Sequence, residues 1–170
     1  DGVVKATEGG AGGIFAENTG NITNSTLINN KTVAGTGTNG ATGGIIGVNS
    51  GNISRTSLKN EVDGQVIGMN NVGGLIGVNT GTITGGRNES AEYDENGNLT
   101  AEADSYYKYK IYNNGVINVG TWNDGNSNGK VDDGEITGLQ QGETSQNIGG
   151  LIGDNQGNLT AGYNTGAINA

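Results

Sequence analysis

The chain of 170 residues is predicted to be all-β: a parallel β-solenoid (β-helix) of about four coils of ~30 residues each, with two insertions in the third coil. Three observations predict it. One twelve-residue pattern recurs four times in register, the runs between its copies are short and β-branched, and the chain holds 35 Gly but no Pro. No apolar stripe of 3.6-residue period survives that many glycines, each of which costs about 1 kcal/mol in a helix relative to Ala.

The repeats are "AGGIFAENTGNI" from Ala11, "TGGIIGVNSGNI" from Thr42, "VGGLIGVNTGTI" from Val72 and "IGGLIGDNQGNL" from Ile148. Their glycine pairs begin at Gly12, Gly43, Gly73 and Gly149, at spacings of 31, 30 and 76. A second echo explains the long spacing, because "YNNGVI" from Tyr112 matches "YNTGAI" from Tyr163. Tyr163 lies 14 residues after Gly149, whereas the same step from Gly73 reaches only Arg87. With Thr26 as the equivalent of Tyr112, the third coil carries two excursions, at about 87–111 and about 122–141.

Aligned columns give the expected stacking. Asn18, Asn49, Asn79 and Asn155 share one position and form an asparagine ladder at a corner. Gly20, Gly51, Gly81 and Gly157 share another, where each is expected to supply a backbone angle that a Cβ would oppose. The column Glu17, Val48, Val78, Asp154 admits charge and faces water, which turns Ile14, Ile45, Leu75 and Leu151 inward. Strict alternation would expose Phe15, Ile46, Ile76 and Ile152, yet that column is always apolar, so a bend that buries both columns is expected.

These repeats, "GGLIGVNTGTI" and "GGLIGDNQGNL" above all, resemble the GLUG motif of large bacterial surface proteins, among them filamentous-haemagglutinin-like adhesins and the non-catalytic part of IgA1-cleaving metalloproteases. "AGGIFAEN" departs most, with Ala16 in place of Gly. The resemblance implies a β-solenoid stalk or presentation segment at the cell surface or secreted, and brings no catalytic residues with it.

Charge and chemistry bound the function. Formal charge is −9, from 8 basic and 17 acidic residues, which disfavours nucleic acid and anionic membranes and favours cations. No apolar run approaches the roughly 20 residues of a membrane-spanning helix, and no membrane insertion is expected. "DGVVKATEGG" lacks the regions of a signal peptide, so any export signal is expected to lie outside this chain or to have been removed. Without His or Cys there is no imidazole base and no thiol nucleophile.

The first excursion holds "YDENGNLT", where Asn96-Gly97 signals a hairpin with arms over 89–93 and 98–103. Of the chain's eight aromatic residues, six fall between Tyr93 and Trp122. Tyr106, Tyr107, Tyr109, Tyr112 and Trp122 are candidate contacts for a host glycan or protein; the alternative is that these rings fasten the insertion to its scaffold.

The second excursion contains "NDGNSNGKVDDGE". Asp124, Asn126, Asn128, Lys130, Asp132 and Glu135 occupy positions 1, 3, 5, 7, 9 and 12 of an EF-hand-type loop, with Gly129 at position 6. Calcium needs six to eight hard oxygens around one point, and alternate residues of a tight turn supply them. Lys130 would contribute its carbonyl, Glu135 two carboxylate oxygens, and Val131 would pin the loop to its host. Strand-like flanks make this a helix-free variant, and three ligand carboxylates without a paired loop imply an affinity of roughly 10⁻⁵ to 10⁻³ M.

The functional expectation is a non-catalytic, calcium-stabilised segment of a bacterial surface adhesin or fibre. Its expected partners are neighbouring solenoid coils or other copies of itself end to end. A self-assembling subunit of an extracellular filament is the main alternative, and a β-helix glycan-active enzyme a lesser one.

Overall fold

A computed structural model describes residues 2–37, 40–85, 92–93, 95–96, 98–101, 109–139 and 146–170. Every regular element among them is a strand, and no helix is long and apolar enough to cross a membrane.

The strands stack into five parallel sheets, here called faces A to E in the order the chain visits them. Face A holds Val4–Ala6, Thr32–Gly35, Gln65–Gly68, Val116–Val119 and Ile168–Asn169. Face B holds Ala11–Gly12, Ala41–Gly43, Asn70–Gly73 and Gln146–Gly149; face C holds Phe15–Asn18, Ile46–Asn49, Ile76–Asn79 and Ile152–Asn155. Face D holds Asn21–Thr23, Asn52–Ser54, Thr82–Thr84 and Asn158–Thr160, and face E holds Thr26–Asn29, Ser57–Asn60, Ile111–Asn113 and Tyr163–Asn164. Each repeat thus pairs with the next as a parallel strand, which is the solenoid the sequence predicts.

Stacking in register turns columns of sequence into columns of core. Ile22, Ile53, Ile83 and Leu159 align on face D, and Leu27, Leu58 and Ile111 on face E. Between faces B and C the chain bends at Gly44-Ile45 and Gly74-Leu75. Ile45, Ile46, Leu75 and Ile76 are all fully buried in one cluster, so the bend does bury both columns, while Val48 and Val78 lie at the half-buried outer side.

Two asparagine ladders run along the stack. Asn18 donates to Asn49 Oδ1 at 2.7 Å, Asn49 to Asn79 at 2.7 Å, and Asn79 to Asn155 at 2.8 Å. The same amide nitrogens also donate to the carbonyls of Gly20, Gly51 and Gly81, so buried side chains stitch each turn to itself and to the next coil. The second ladder, Asn29–Asn60–Asn113–Asn164, has links of 2.8, 2.6 and 2.6 Å.

The glycine column behaves otherwise than its sequence suggests. Gly51, Gly81 and Gly157 have no left-handed φ. A Cβ there would lie 1.9–2.0 Å from the carbonyl oxygen of the matching glycine one coil earlier, so close packing of backbone on backbone excludes it. Within the coils, the non-glycine residues of left-handed φ are Asn24, Arg55 and Ala161, at the corner between faces D and E, and Asn71 and Asn147 on face B.

The register also corrects one equivalence. Tyr112 pairs with Lys59, which pairs with Ile28, two residues beyond Thr26. Ile111 is part of the coil, paired with Leu58. Parallel pairing stops at Thr84 and resumes at Ile111, then stops at Val119 and resumes at Gln146. Within the first gap, Glu92–Tyr93 and Leu99–Ala101 pair antiparallel as a hairpin.

Candidate functional site

The chain leaves face A through Gly120 and immediately folds back, with Thr121–Trp122 pairing antiparallel to Ile136–Thr137. The oxygen-rich segment from Asp124 to Glu135 forms the tip of this excursion, closed at its base by Asn123 N–H donating to Glu135 C=O at 2.9 Å. Alternation on face A sends Val33 and Val66 inward and leaves Ala34 and Ile67 pointing out. Trp122, Val131 and Ile136 cover those two, so Ala34 and Ile67 are fully buried on the outside of the solenoid. Thr32 Oγ1 adds a hydrogen bond to Gly129 C=O at 3.2 Å, which ties the loop to the second coil.

Inside the loop, acceptors organise the backbone. Asp124 accepts from Asn128 N–H at 3.1 Å and Gly129 N–H at 3.0 Å, and Gly129 takes φ +72°, the left-handed turn that favours glycine. Asn126 Oδ1 accepts from Asn128 N–H, and Asn128 Oδ1 from Lys130 N–H at 2.7 Å. Both amide nitrogens then donate to Asp132 Oδ2 at 2.7 Å. Those bonds, Asn126's first and then Asn128's, hold the Asp132 carboxyl below the usual carboxylate range, with Lys130 adding a smaller pull in the same direction. Glu135 closes the ring: Oε1 accepts from Gly125 N–H, while Oε2 accepts from Asp132 N–H and Trp122 Nε1–H, each at 3.1 Å.

All six residues expected to ligate a metal, Asp124, Asn126, Asn128, Lys130, Asp132 and Glu135, therefore sit in one hydrogen-bonded loop. Among the described residues no three acidic, imidazole or thiolate side chains are grouped so as to hold a metal by themselves. The donors here are mixed: carboxylates, amide oxygens and a carbonyl. These are hard oxygens of the kind a divalent cation takes, and as placed the Asp132 carboxylate is engaged by the amide N–H groups of Asn126 and Asn128.

The aromatic residues separate into different roles. Trp122 is 3% exposed, with Lys5 Nζ 5.5 Å from its ring centroid, so it has no free face and serves as packing. Tyr112 is likewise buried; its ring stacks on Tyr163 at 5.5 Å and its hydroxyl donates to Glu61. As placed, both rings belong to the scaffold, the alternative role: Glu61 and Tyr163 cover Tyr112, and Lys5, Val131 and Ile136 pack on or beside Trp122. Tyr109 is half-buried, and Tyr106 and Tyr107 lie outside the described residues.

Sequence reasoning passed over a cleft of about 390 Å³ between the loop and the corner of faces E and A. Lys31, Asp63 and Gln65 line one side, and Lys130 and Asp132 the other. Comparison with protein-family models, with curated proteins and with solved structures finds no match to this chain.

Proposed function

We propose that this chain is a non-catalytic scaffold segment of a bacterial surface adhesin or fibre, secreted or cell-attached, whose stiffness is completed by calcium at residues 124–135. The observation that carries the reading is the seating of the loop. Its carboxylates are bound into the same unit as Trp122, which seals the outer wall of face A. An ion that draws Asp124, Asp132 and Glu135 together tightens a clamp across the coils rather than an isolated surface turn. The GLUG-like repeats and the −9 net charge support the same reading, since a surface stalk works at external calcium concentrations.

Thermal unfolding at pH 7 with calcium or chelator tests it. With a dissociation constant of about 10⁻⁴ M, 5 mM calcium adds about 2 kcal/mol of stability, hence a rise of roughly 5 °C in Tm. The emission of Trp122, the single tryptophan, shifts in parallel because Glu135 is its hydrogen-bond partner. Asp124→Asn abolishes both responses. An unchanged Tm and emission at millimolar calcium, with no heat on titration, refutes calcium stabilisation.

A further inference from the structure

At Asn128-Gly129 a side-chain amide is followed by the residue of least bulk, and the loop places hydrogen bonds on both groups that could react with each other. Gly129 N–H donates to Asp124 Oδ2 at 3.0 Å, so a carboxylate sits on the proton that this nitrogen must release to attack. Lys130 N–H donates to Asn128 Oδ1 at 2.7 Å, which curls the Asn128 side chain back over its own peptide bond and polarises the amide carbonyl. Gly129 takes φ +72° and sets no Cβ beside that amide.

We propose that Asn128 is a modification site, at which the loop promotes its own deamidation. Gly129 N attacks Asn128 Cγ while Asp124 takes its proton and passes it on through water. The N–Cγ bond forms, the Cγ–Nδ2 bond breaks, and the amide leaves as ammonia, with a succinimide ring behind it. Water then opens the ring. Attack at Cγ restores the backbone with an aspartate side chain, whereas attack at the main-chain carbonyl carbon gives an isoaspartate linkage. Water is the only co-reactant, so the reaction stands apart from the calcium reading above.

Neighbouring asparagines show what selects this one. Asn126 makes the same turn, its Oδ1 accepting from Asn128 N–H at 3.0 Å. Its successor, however, is Ser127, whose N–H goes to the Asp124 carbonyl at 3.3 Å rather than to a carboxylate. Asn114 begins the other Asn-Gly step with both residues described, but Gly115 is fixed in the stack. A Cβ on it would lie 2.1 Å from the Gly64 carbonyl oxygen, and Asn114 Oδ1 is held by Thr165 Oγ1–H at 2.6 Å. The consequence of reaction is local and one-way. Asn128 Nδ2 donates to Asp132 Oδ2 at 2.7 Å; either product lacks that donor and adds a negative charge beside Asp124, Asp132 and Glu135, which loosens the ring.

Peptide mapping by mass spectrometry of the full chain, aged at neutral pH in chelator, tests the assignment. Deamidation rates at Asn128, Asn126 and Asn114 are compared in the folded chain and in the chain unfolded by guanidinium chloride. A fold that merely fixes the backbone slows all three. Asn128 is instead expected to react about tenfold faster folded than unfolded, short of the full effect of an ideally placed base, while Asn126 and Asn114 slow down. Asp124→Ser leaves an acceptor for Gly129 N–H but no carboxylate. With circular dichroism and Trp122 emission checking that fold and loop are kept, this variant loses the acceleration. Equal or slower reaction of Asn128 in the folded chain, or an Asp124→Ser rate equal to that of the unsubstituted chain, overturns the proposal.

Discussion

A Cβ on Gly81 would lie 2.0 Å from the carbonyl oxygen of Gly51, whereas one on Gly20, at the open edge, meets nothing within 4 Å. The same column of glycines is therefore indispensable inside the stack and dispensable at its edge. Gly81→Ala is expected to lower stability by about 3 kcal/mol, because the neighbouring backbone must move, while Gly20→Ala stays within about 0.5 kcal/mol. Urea unfolding of the two variants distinguishes this from a requirement for glycine angles, under which both would suffer alike. The column itself was legible in the sequence, but its cause was not: composition names a glycine and leaves open whether φ or a neighbouring coil requires it. The ladders show a similar limit. Asn18, Asn49, Asn79 and Asn155 share an Asn-x-Gly pattern that reveals their register. The second ladder keeps that pattern only at Asn113 and Asn164, since Lys31 and Val62 follow Asn29 and Asn60, and so it is hidden until the coils are stacked.

At the scale of elements, strands and excursions follow different rules. The coil strands are dictated by columns that repeat, and their parallel pairing could be anticipated. The excursions have no repeat to compare, so only local chemistry shows: the Asn96-Gly97 turn and the spacing of oxygen ligands. What local chemistry could not show is that the second excursion folds back over Ala34 and Ile67, because this depends on which residues alternation leaves facing outward. The same holds for Tyr112, whose burial is set by the coils beside it. Burial first, and then its hydrogen bond to Glu61 and that carboxylate's charge, push the Tyr112 phenol up to about 12. A phenol raised in the folded state contributes stability that is complete below its unfolded value near 10 and is lost as pH climbs through about 12. Ultraviolet titration is expected to show a tyrosine step near pH 12, with thermal stability falling over the same window. In Tyr112→Phe the late step disappears and stability loses that part of its alkaline dependence; a late step that persists identifies another residue as its source.

For the molecule as a whole, the number of coils, their parallel sense and the absence of predicted helix all follow from one repeated pattern with its insertions set aside. The extra strand on face A was only half legible: the echo of "YNNGVI" in "YNTGAI" sets Ile168 opposite Ile117, whereas Val4–Ala6 lies outside every repeat and reveals its place only by pairing with Thr32–Gly35. The central claim is that equivalent residues of successive repeats lie one strand apart, even where many residues intervene. Cysteine pairs test it most directly, since the chain has no cysteine of its own. Val78 pairs with Asp154 across both insertions, and Glu17 with Val48, so their Cα atoms are about 4.8 Å apart, within disulfide range. Val78→Cys with Asp154→Cys, and Glu17→Cys with Val48→Cys, are each expected to oxidise fully within the monomer without loss of Tm. Glu17→Cys with Asp154→Cys, about 14 Å apart over three strand spacings, stays reduced. Failure of the Val78–Asp154 pair to close, or closure of Glu17–Asp154 within one molecule, contradicts the stacked parallel coils.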